Sequence, residues 1–315
     1  MTVLVTGANG FVGSALCARL LRDGASVRAA VRSLNSRPDG TEAVVNGSLS
    51  SETDWTSALR NVDQVVHLAA RVHVMNDKSS DPLAEFRRVN VEGTANLARQ
   101  AAVAGVKRFV FLSSVKVNGE STEQGQPFTA DNAPAPKDPY GVSKHEAELL
   151  LRQIAVETGM EVVIIRPPLV YGPGVKANFE SLMRWLARSL PLPLAAVTNN
   201  RRSLVALNNL VDLIITCLNH PAAANQTLLV SDGEDLSTAD LLRRMGAALG
   251  RPARLFYVPT ALLKLGATVV SKPGIYQRLC GSLQLDITKT RQLLDWTPPL
   301  SVDDGLRRTV EGFRP

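Results

Sequence analysis

The sequence predicts an α/β protein whose core is a doubly wound parallel sheet, with a smaller, mainly C-terminal lobe. Short apolar runs alternate with helical patterns along the N-terminal half, which is typical of a parallel sheet with crossover helices. The first apolar run passes directly into a glycine-rich turn, as the first strand of such sheets often does. The 315 residues, 45% of them hydrophobic, are enough for this sheet and a second lobe.

The same alternation predicts the elements in chain order. Strands are expected at residues 2–6, 26–31, 43–46, 64–68, 108–113 and 161–166. Helices are expected at residues 11–23, 54–60, 82–104, 140–158 and 177–189. After residue 236, helical patterns continue with little strand signal. We therefore assign residues 1–170 and roughly 204–231 to the sheet domain, and residues 171–203 and roughly 232–315 to the lobe.

The glycine-rich turn has the spacing of a dinucleotide site. The segment Thr6-Gly7-Ala8-Asn9-Gly10-Phe11-Val12-Gly13 follows a predicted strand and leads into a predicted helix, and this arrangement suits a pyrophosphate. Gly7 can adopt the backbone angles of a tight turn, Gly10 leaves room for a phosphate, and Gly13 lets the helix pack closely on the strand. Taken alone, the motif also fits an ordinary strand-turn-helix. As a site, it predicts cofactor contacts from Gly7, Gly10, Phe11, Val12 and Gly13.

A second motif, Tyr140-Gly141-Val142-Ser143-Lys144, opens another predicted helix. Residues four apart share one helix face, so the phenol and the ammonium point into the same space. An ammonium beside a phenol favours the phenolate and lowers the phenol pKa from about 10. The motif therefore predicts Tyr140 as a proton donor or acceptor, and an exposed helix start is the plain alternative.

Together these motifs resemble the extended branch of the short-chain dehydrogenase/reductase superfamily, including the NAD-dependent epimerase/dehydratase family. The predicted strand before Ser113-Ser114 and the segment Arg166–Gly174 extend the resemblance over nearly the whole chain. It implies a Rossmann fold for the sheet domain, with Ser114, Tyr140 and Lys144 as catalytic residues. Ser113 is the alternative serine, and the pair after this strand is Asn118-Gly119 where the family usually has Tyr-Gly.

The end of the second predicted strand bears on the choice of dinucleotide, because a carboxylate there would hold the ribose 2′-hydroxyl of NAD. The run from Ser26 to Ser33 contains no carboxylate, and Arg32 would attract a 2′-phosphate. We therefore predict NADP, with NAD as the alternative. By resemblance, Leu49 and Ala69 also line the cofactor, although Ser48 stands where the family often has Asp.

The resemblance implies a UDP-sugar substrate, and three further residues are predicted to bind it together with Ser114. Asn178 opens a predicted helix, where an amide and free backbone donors can meet a diphosphate or uracil. Arg202 lies where similar epimerases have a diphosphate-binding arginine, and a guanidinium suits bidentate phosphate contact. Arg278 is predicted as a second such arginine, and solvated surface is the alternative for each.

Three functions follow as hypotheses. The first is an NADPH-dependent 4-ketoreductase of a UDP-linked N-acetylated deoxysugar, in surface polysaccharide biosynthesis. The alternative is a UDP-sugar 4-epimerase resembling UDP-glucose 4-epimerase, with tightly bound NAD. A non-catalytic dinucleotide-sensing protein is disfavoured because the Ser114, Tyr140 and Lys144 set is intact.

Composition limits the partners and the compartment. The formal net charge is +6, but the basic residues are scattered without interleaved aromatics, so no nucleic-acid partner is expected. No stretch approaches the ~20 apolar residues of a membrane span, and no basic region precedes the first apolar run, so no membrane partner is expected. Three widely spaced cysteines suit a reducing cytoplasm and predict neither a disulfide framework nor a metal site.

Two further expectations concern assembly and packing. The predicted helices at 82–104 and 140–158 resemble those that pair in family dimers, with Leu149, Leu150 and Ile154 as part of an apolar stripe. A homodimer is therefore expected. His67 lies within an apolar run and is expected to be a packed strand residue.

Overall fold

The computed structural model describes residues 1–72, 81–269 and 273–313, and its centre is a parallel sheet. Within these ranges the sheet contains seven strands: β1 (Thr2–Thr6), β2 (Ser26–Val31), β3 (Glu42–Val45), β4 (Gln64–His67), β5 (Arg108–Leu112), β6 (Glu161–Arg166) and β9 (Thr227–Leu229). Their order is β3-β2-β1-β4-β5-β6-β9, and each neighbouring pair is parallel. This order confirms the predicted doubly wound fold.

The helices follow the strands as crossovers and then form most of the C-terminal lobe. They are α1 (Phe11–Arg22), α2 (Thr56–Leu59), α3 (Pro82–Arg87), α4 (Gly93–Val103), α5 (Pro139–Thr158), α6 (Ala177–Ala187), α7 (Leu207–Asn219), α8 (Thr238–Ala248), α9 (Thr260–Val269), α10 (Pro273–Cys280), α11 (Thr288–Leu294) and α12 (Val302–Glu311). A smaller sheet consists of β10 (Asp235–Leu236), β8 (Arg202–Ala206) and β7 (Leu169–Tyr171), in that order.

Alternating side chains of the central strands divide the large core into two layers. On β1, Val3 and Val5 face one apolar cluster while Leu4 faces the other, as the twofold period of a strand requires. Helices α1 and α7 pack together on the first side, and α4 and α5 pack together on the second. The strand order reverses between β1 and β4, so their carboxyl ends open a crevice where ligands of such sheets bind.

One predicted helix is not continuous. The expected helix at 82–104 is divided into α3 and α4 by a π-helical segment, Arg88–Glu92. Asn90 within that segment is 1% exposed, and the wider turn directs its amide inward. The periodicity of the sequence alone did not predict this interruption, because it depends on bonds to distant residues.

The lobe has its own apolar core around α6, α8 and α12, which includes Phe179, Met183, Leu242 and Leu306. Strands β7 and β8 belong to the small sheet, whereas α7 and β9 return to the large domain. The exact domain boundaries stay a prediction. No helix in the described ranges is long and apolar enough to cross a bilayer.

The expected dimer stripe needs one correction. Leu149 is 52% exposed and Leu150 is half-buried, but Ile154 is only 1% exposed and packs in the core beneath the sheet. The helix turns Ile154 inward because it lies five positions after Leu149, well round the helix from it. Val156, which is 87% exposed, extends the outer face instead. The homodimer itself stays a prediction.

Candidate active site

The glycine turn after β1 forms a cradle that larger residues would fill. Gly7 has a φ of +65°, and a Cβ there would lie 2.9 Å from the amide nitrogen of Ala69. A Cβ on Gly13 would lie 2.1 Å from the Gly7 carbonyl oxygen, which is a severe clash. At Gly10 only that same oxygen, at 3.1 Å, is within 4 Å among the described atoms, so the outer side is open.

This open side faces the free backbone donors at the start of α1. Gly10 is the N-cap and offers no side chain to the helix, so the first N–H groups of α1 remain free for an anion. The geometry therefore fits the pyrophosphate of a dinucleotide, as predicted for Gly7, Gly10, Phe11, Val12 and Gly13. Thr6 closes the inner wall, since its hydroxyl oxygen accepts bonds from the amides of Leu68 and Ala69 at 3.2 and 3.1 Å.

The structure brings Ser114, Tyr140 and Lys144 together at the carboxyl end of β5. Tyr140 is hydrogen-bonded to the side chain of Ser114, whose hydroxyl oxygen also accepts from the amide of Lys116 at 3.2 Å. The Tyr140 ring stands edge-on to Phe86, with 6.1 Å between the ring centroids. A hydroxyl and a phenol are thus held side by side, where both can contact one substrate oxygen.

Lys144 is enclosed beneath this pair. Its side chain is 2% exposed in the described fold, and its ammonium donates to the Leu112 carbonyl at 2.8 Å. It also lies 4.2 Å from the centroid of the Phe111 ring, in a cation–π contact. Burial lowers the pKa of Lys144 to about 7, although Glu148 acts in the opposite direction.

The expected lowering of the Tyr140 pKa is wrong for this arrangement. Burial raises the pKa of Tyr140, and Asp138 raises it further, while the bond to Ser114 lowers it. Burial and the bond to Ser114 depend on tertiary packing, which the four-residue spacing of the motif does not describe. Tyr140 is therefore a neutral phenol at neutral pH in this structure.

Asp138 fixes the start of the helix that carries Tyr140 and Lys144. It is the N-cap of α5 and accepts from the amide of Gly141 at 2.7 Å, with Pro139 at the first helical position. The ammonium of Lys116 forms an ion pair with Asp138. Sequence analysis did not identify this contact, although Asp-Pro before the tyrosine is a recognisable helix start.

Asn90 connects the π-helical segment to α5. Its side-chain oxygen accepts from the amide of Arg71 at 2.7 Å, and its amide donates to the Ser143 hydroxyl at 3.0 Å. Ser143 in turn donates to the Tyr140 carbonyl at 2.8 Å. Asn90 therefore connects the Arg71 backbone to the start of α5, the helix that carries Tyr140 and Lys144.

A buried ionic network supports the other serine. Ser113 donates to Glu148 at 2.6 Å, and Glu148 pairs with Arg166 at 2.5 Å while both charged side chains are at most 2% exposed. Arg166 also donates to the Asn118 side chain at 3.0 Å. Burial acts against the charge of Glu148, but the Arg166 bonds hold its pKa below the ordinary value. Ser113 is thus bonded into the core, which favours Ser114 as the serine that meets substrate.

The adenosine end of the cradle carries two arginines after β2. Arg32, directly after the strand, is exposed, whereas Arg28 lies within β2 and pairs with Glu42 at 2.9 Å. A cavity of about 370 Å³ lies beside the start of α1, and Arg37 is among its lining residues. Sequence analysis did not single out Arg37. Leu49, also predicted to line the cofactor, is half-buried, and a Cβ on Gly93 would lie 2.6 Å from its side chain.

The predicted substrate residues are less closely tied to this centre. Asn178 is exposed at the second position of α6, and Arg278 is exposed in the last turn of α10. Arg202 is half-buried at the start of β8 and donates to the Gly281 carbonyl at 3.1 Å. Burial lowers the pKa of Arg202. The substrate roles of all three stay predictions.

Comparison with known proteins identifies the family. The family model for the NAD dependent epimerase/dehydratase family matches residues 3–230. The chain belongs to this family. Its relatives include a UDP-glucose 4-epimerase of Vibrio cholerae, 49% identical over 313 residues that cover 99% of this chain and 95% of that protein.

Solved structures agree with this assignment. MoeE5, in complex with UDP-glucuronic acid and NAD, superimposes with a TM-score of 0.78 at 27% identity, covering 99% of this chain and 98% of that one. A UDP-N-acetylglucosamine 4-epimerase from Bacillus cereus has a TM-score of 0.81 over 99% of this chain and 98% of its own, and at 21% identity it shows the shared fold. The resemblance to the extended short-chain dehydrogenase/reductase superfamily is therefore confirmed.

Proposed function

We propose that this protein is a UDP-sugar 4-epimerase that uses NAD. The observation that carries the proposal is the 49% identity to the Vibrio cholerae UDP-glucose 4-epimerase over 99% of the chain. The cradle after β1 and the Ser114–Tyr140–Lys144 centre are the parts that such a reaction needs. The proposal replaces the ketoreductase as the preferred function, and a cytoplasmic homodimer remains the expected form.

The roles of the residues follow from their positions. Tyr140 moves a proton to or from the oxygen on C4 of the sugar, and Ser114 hydrogen-bonds the same oxygen. Lys144, enclosed beneath them, binds the nicotinamide ribose and provides a positive charge below the phenol. NAD held at the cradle of Gly7, Gly10 and Gly13 would supply reversible hydride transfer at C4, and an epimerase reaction involves no net oxidation.

One observation favours the NADPH-dependent 4-ketoreductase as a second candidate. The run from Ser26 to Ser33 contains no carboxylate, and Arg32 and Arg37 both lie after β2, where they would attract a 2′-phosphate. Asp39 lines the same cavity as Arg37 and would oppose that attraction. A reductase of a UDP-linked N-acetylated 4-keto-deoxysugar consumes one NADPH for each product. An epimerase leaves its cofactor unchanged, which makes the two functions separable by stoichiometry.

The deciding experiment measures sugar conversion and cofactor consumption together. We expect purified enzyme to interconvert UDP-galactose and UDP-glucose, or their N-acetylated counterparts, without loss of absorbance from added NADPH. Stoichiometric NADPH oxidation with a UDP-4-keto-deoxysugar, and no interconversion, would establish the reductase instead. Absence of turnover with both substrate sets, with dinucleotide binding retained, would point to the sensing protein.

A binding experiment tests the cofactor independently. We expect NAD to bind more tightly than NADP, and Arg32→Asp to weaken NADP by at least about tenfold while NAD is little changed, because charge-assisted hydrogen bonds contribute ~1.5–3 kcal/mol. Arg60→Asp, at another exposed arginine, controls for net charge. Tighter binding of NADP to the unmodified protein would favour the reductase. An unchanged ratio of affinities in Arg32→Asp would remove Arg32 from the cofactor site.

A further inference from the structure

The lobe carries an exposed apolar surface that the active site does not use. We call it the aromatic-leucine surface and define it by residues that are 43–73% exposed: Trp185, Leu190, Phe256, Tyr257, Leu262 and Leu265. Large apolar side chains scattered singly need no explanation, but grouped ones mark an interaction surface.

Backbone hydrogen bonds show that these residues are neighbours. The amide of Leu190 donates to the Trp185 carbonyl at 3.2 Å, and the amide of Phe256 donates to the Leu192 carbonyl at 3.0 Å. The segment with Trp185 and Leu190 is therefore joined to the one with Phe256, and Tyr257 leads directly into α9. The surface is thus continuous from the end of α6 to α9.

Leucines lie on two sides of helix α9, and only one of these sides packs against the lobe core. Leu263 packs against the lobe core, whereas Leu262 and Leu265 are 57% and 60% exposed. Lys264 lies between them in sequence and is also exposed. A helix of 10 residues with this distribution is too short to cross a bilayer but can lie in its surface.

Basic residues predominate around the aromatic-leucine surface, although Glu180 pairs with Arg184 on α6. The sequence contains no Asp or Glu from Ser181 to Val211, and none from Leu241 to Leu285. Some arginines elsewhere in the lobe are paired, as Arg244 is with Glu234 at 2.5 Å. Across the described residues no ion pair involves the exposed cations beside the surface, which are Arg188, Arg251, Arg254 and Lys264.

We propose that the aromatic-leucine surface docks this protein on an anionic lipid bilayer, with α9 lying in the headgroup region. Leucines would enter the acyl boundary, and Trp185, Phe256 and Tyr257 would occupy the interface that aromatic side chains prefer. The unpaired cations would meet anionic headgroups. This revises the expectation of no membrane partner, which excluded only a spanning segment.

Two other occupants fit the surface less well. A second copy of the chain would bring two acid-free cationic faces together across a symmetric interface, and like charges oppose that contact. Nucleic acid would satisfy the cations, but its phosphate backbone offers nothing for Leu262 and Leu265 to bury. A bilayer accommodates both the charges and the leucines.

Vesicle co-sedimentation of the full chain tests the proposal without any measurement of catalysis. We expect binding to vesicles of phosphatidylglycerol and phosphatidylethanolamine, weak binding to phosphatidylcholine vesicles, and a decrease with added salt. Leu265→Glu should reduce the bound-to-free ratio at least about tenfold, because it removes an apolar contact and adds a repelled charge. Leu34→Glu is the matched control, since Leu34 is 59% exposed in the large domain.

Each alternative outcome overturns the proposal. No binding to anionic vesicles, or equal losses in Leu265→Glu and Leu34→Glu, would show that the surface does not dock on lipid. If light scattering shows that Leu265→Glu converts a dimer into monomers, and the unmodified protein does not bind vesicles, the surface is instead an interface between two copies of the chain. Equal binding of unmodified and Leu265→Glu protein to both vesicles and duplex DNA would show only a general attraction for polyanions.

Discussion

At the scale of single residues, the chemistry depends on what surrounds each group. Tyr140 and Lys144 share a helix face, as the spacing of their motif predicts, but burial sets the pKa of each. Lys144 loses part of its charge near neutral pH because burial lowers its pKa to about 7. Its bond to the Leu112 carbonyl and its contact with the Phe111 ring favour the charged form. The grouping of Tyr140 and Lys144 could therefore be predicted from sequence, whereas their protonation states could not.

Tyr140→Phe provides the direct test at this scale. The change removes the transferable proton and keeps the ring, so we expect turnover to fall at least ~100-fold with cofactor affinity little changed. Steady-state rates and cofactor titration measure the two effects. Tyr171→Phe is the control, because the Tyr171 hydroxyl donates to Asp232 at 2.7 Å inside the lobe. That variant should lose stability but keep the turnover of the folded enzyme, and equal rate losses in both variants would contradict the role of Tyr140.

At the scale of elements, local patterns predicted the central strands well and the lobe poorly. The strands at β1, β2, β4, β5 and β6 are apolar runs bounded by turns, so their own residues identify them. Strands β7 and β10 have only 3 and 2 residues and depend on pairing with β8, which is not a local property. The π-helical turn at Asn90 likewise depends on its bonds to Arg71 and Ser143.

The turn between β1 and α1 gives a prediction about an element. A Cβ on Gly13 would lie 2.1 Å from the Gly7 carbonyl oxygen, so Gly13→Ala must displace either the turn or α1. We expect dinucleotide affinity to fall at least ~10-fold, because the free N–H groups at the helix start move with the backbone. Isothermal titration of NAD measures this loss.

Gly266→Ala is the matched control for that substitution. Gly266 also lies in a helix, but no described atom is within 4 Å of the position of its Cβ. Alanine there should be neutral or stabilising by up to about 1 kcal/mol, with cofactor affinity unchanged. Normal affinity in Gly13→Ala would mean that the turn adapts, and the cradle would not depend on Gly13.

At the scale of the whole molecule, charged residues are distributed differently in the large domain and in the C-terminal lobe. The net charge of +6 gives a mildly attractive field for anionic ligands but does not show where that field is concentrated. Folding brings two acid-free stretches together on the lobe, while the large domain pairs cations such as Arg87 with Glu146 at 2.6 Å. The sequence contains both stretches, but only the fold shows that they adjoin.

The stability of the whole fold provides a prediction through His67. This side chain is fully enclosed between two threonines, with its ring nitrogens 2.7 Å from the Thr6 hydroxyl and 2.9 Å from that of Thr94. Burial, with a smaller effect from Lys144, lowers the pKa of His67 from 6.5 to about 3. His67 is therefore the packed strand residue that the sequence indicated, and it remains neutral in the folded chain at neutral pH.

The lowered pKa makes stability depend on pH in a defined direction. Below pH 6.5 the unfolded chain takes up a proton at His67, whereas the folded chain does so only near its pKa of about 3. The free energy of unfolding should therefore fall as pH decreases through this window, by at most about 1.4 kcal/mol per pH unit from this group. Urea unfolding between about pH 6.5 and 5 measures the slope above the range where carboxylates titrate.

Two variants identify the source of that slope. His67→Gln keeps a donor and an acceptor for the two threonines but cannot titrate, so it should flatten the dependence even if it lowers overall stability. His145→Gln should change the slope much less, because His145 is only partly buried and its lowered pKa arises from a smaller burial effect. If His67→Gln retains the full slope, a group other than His67 controls acid unfolding. The neutral His67 side chain that joins β1 to α4 would then not be the source of the pH dependence.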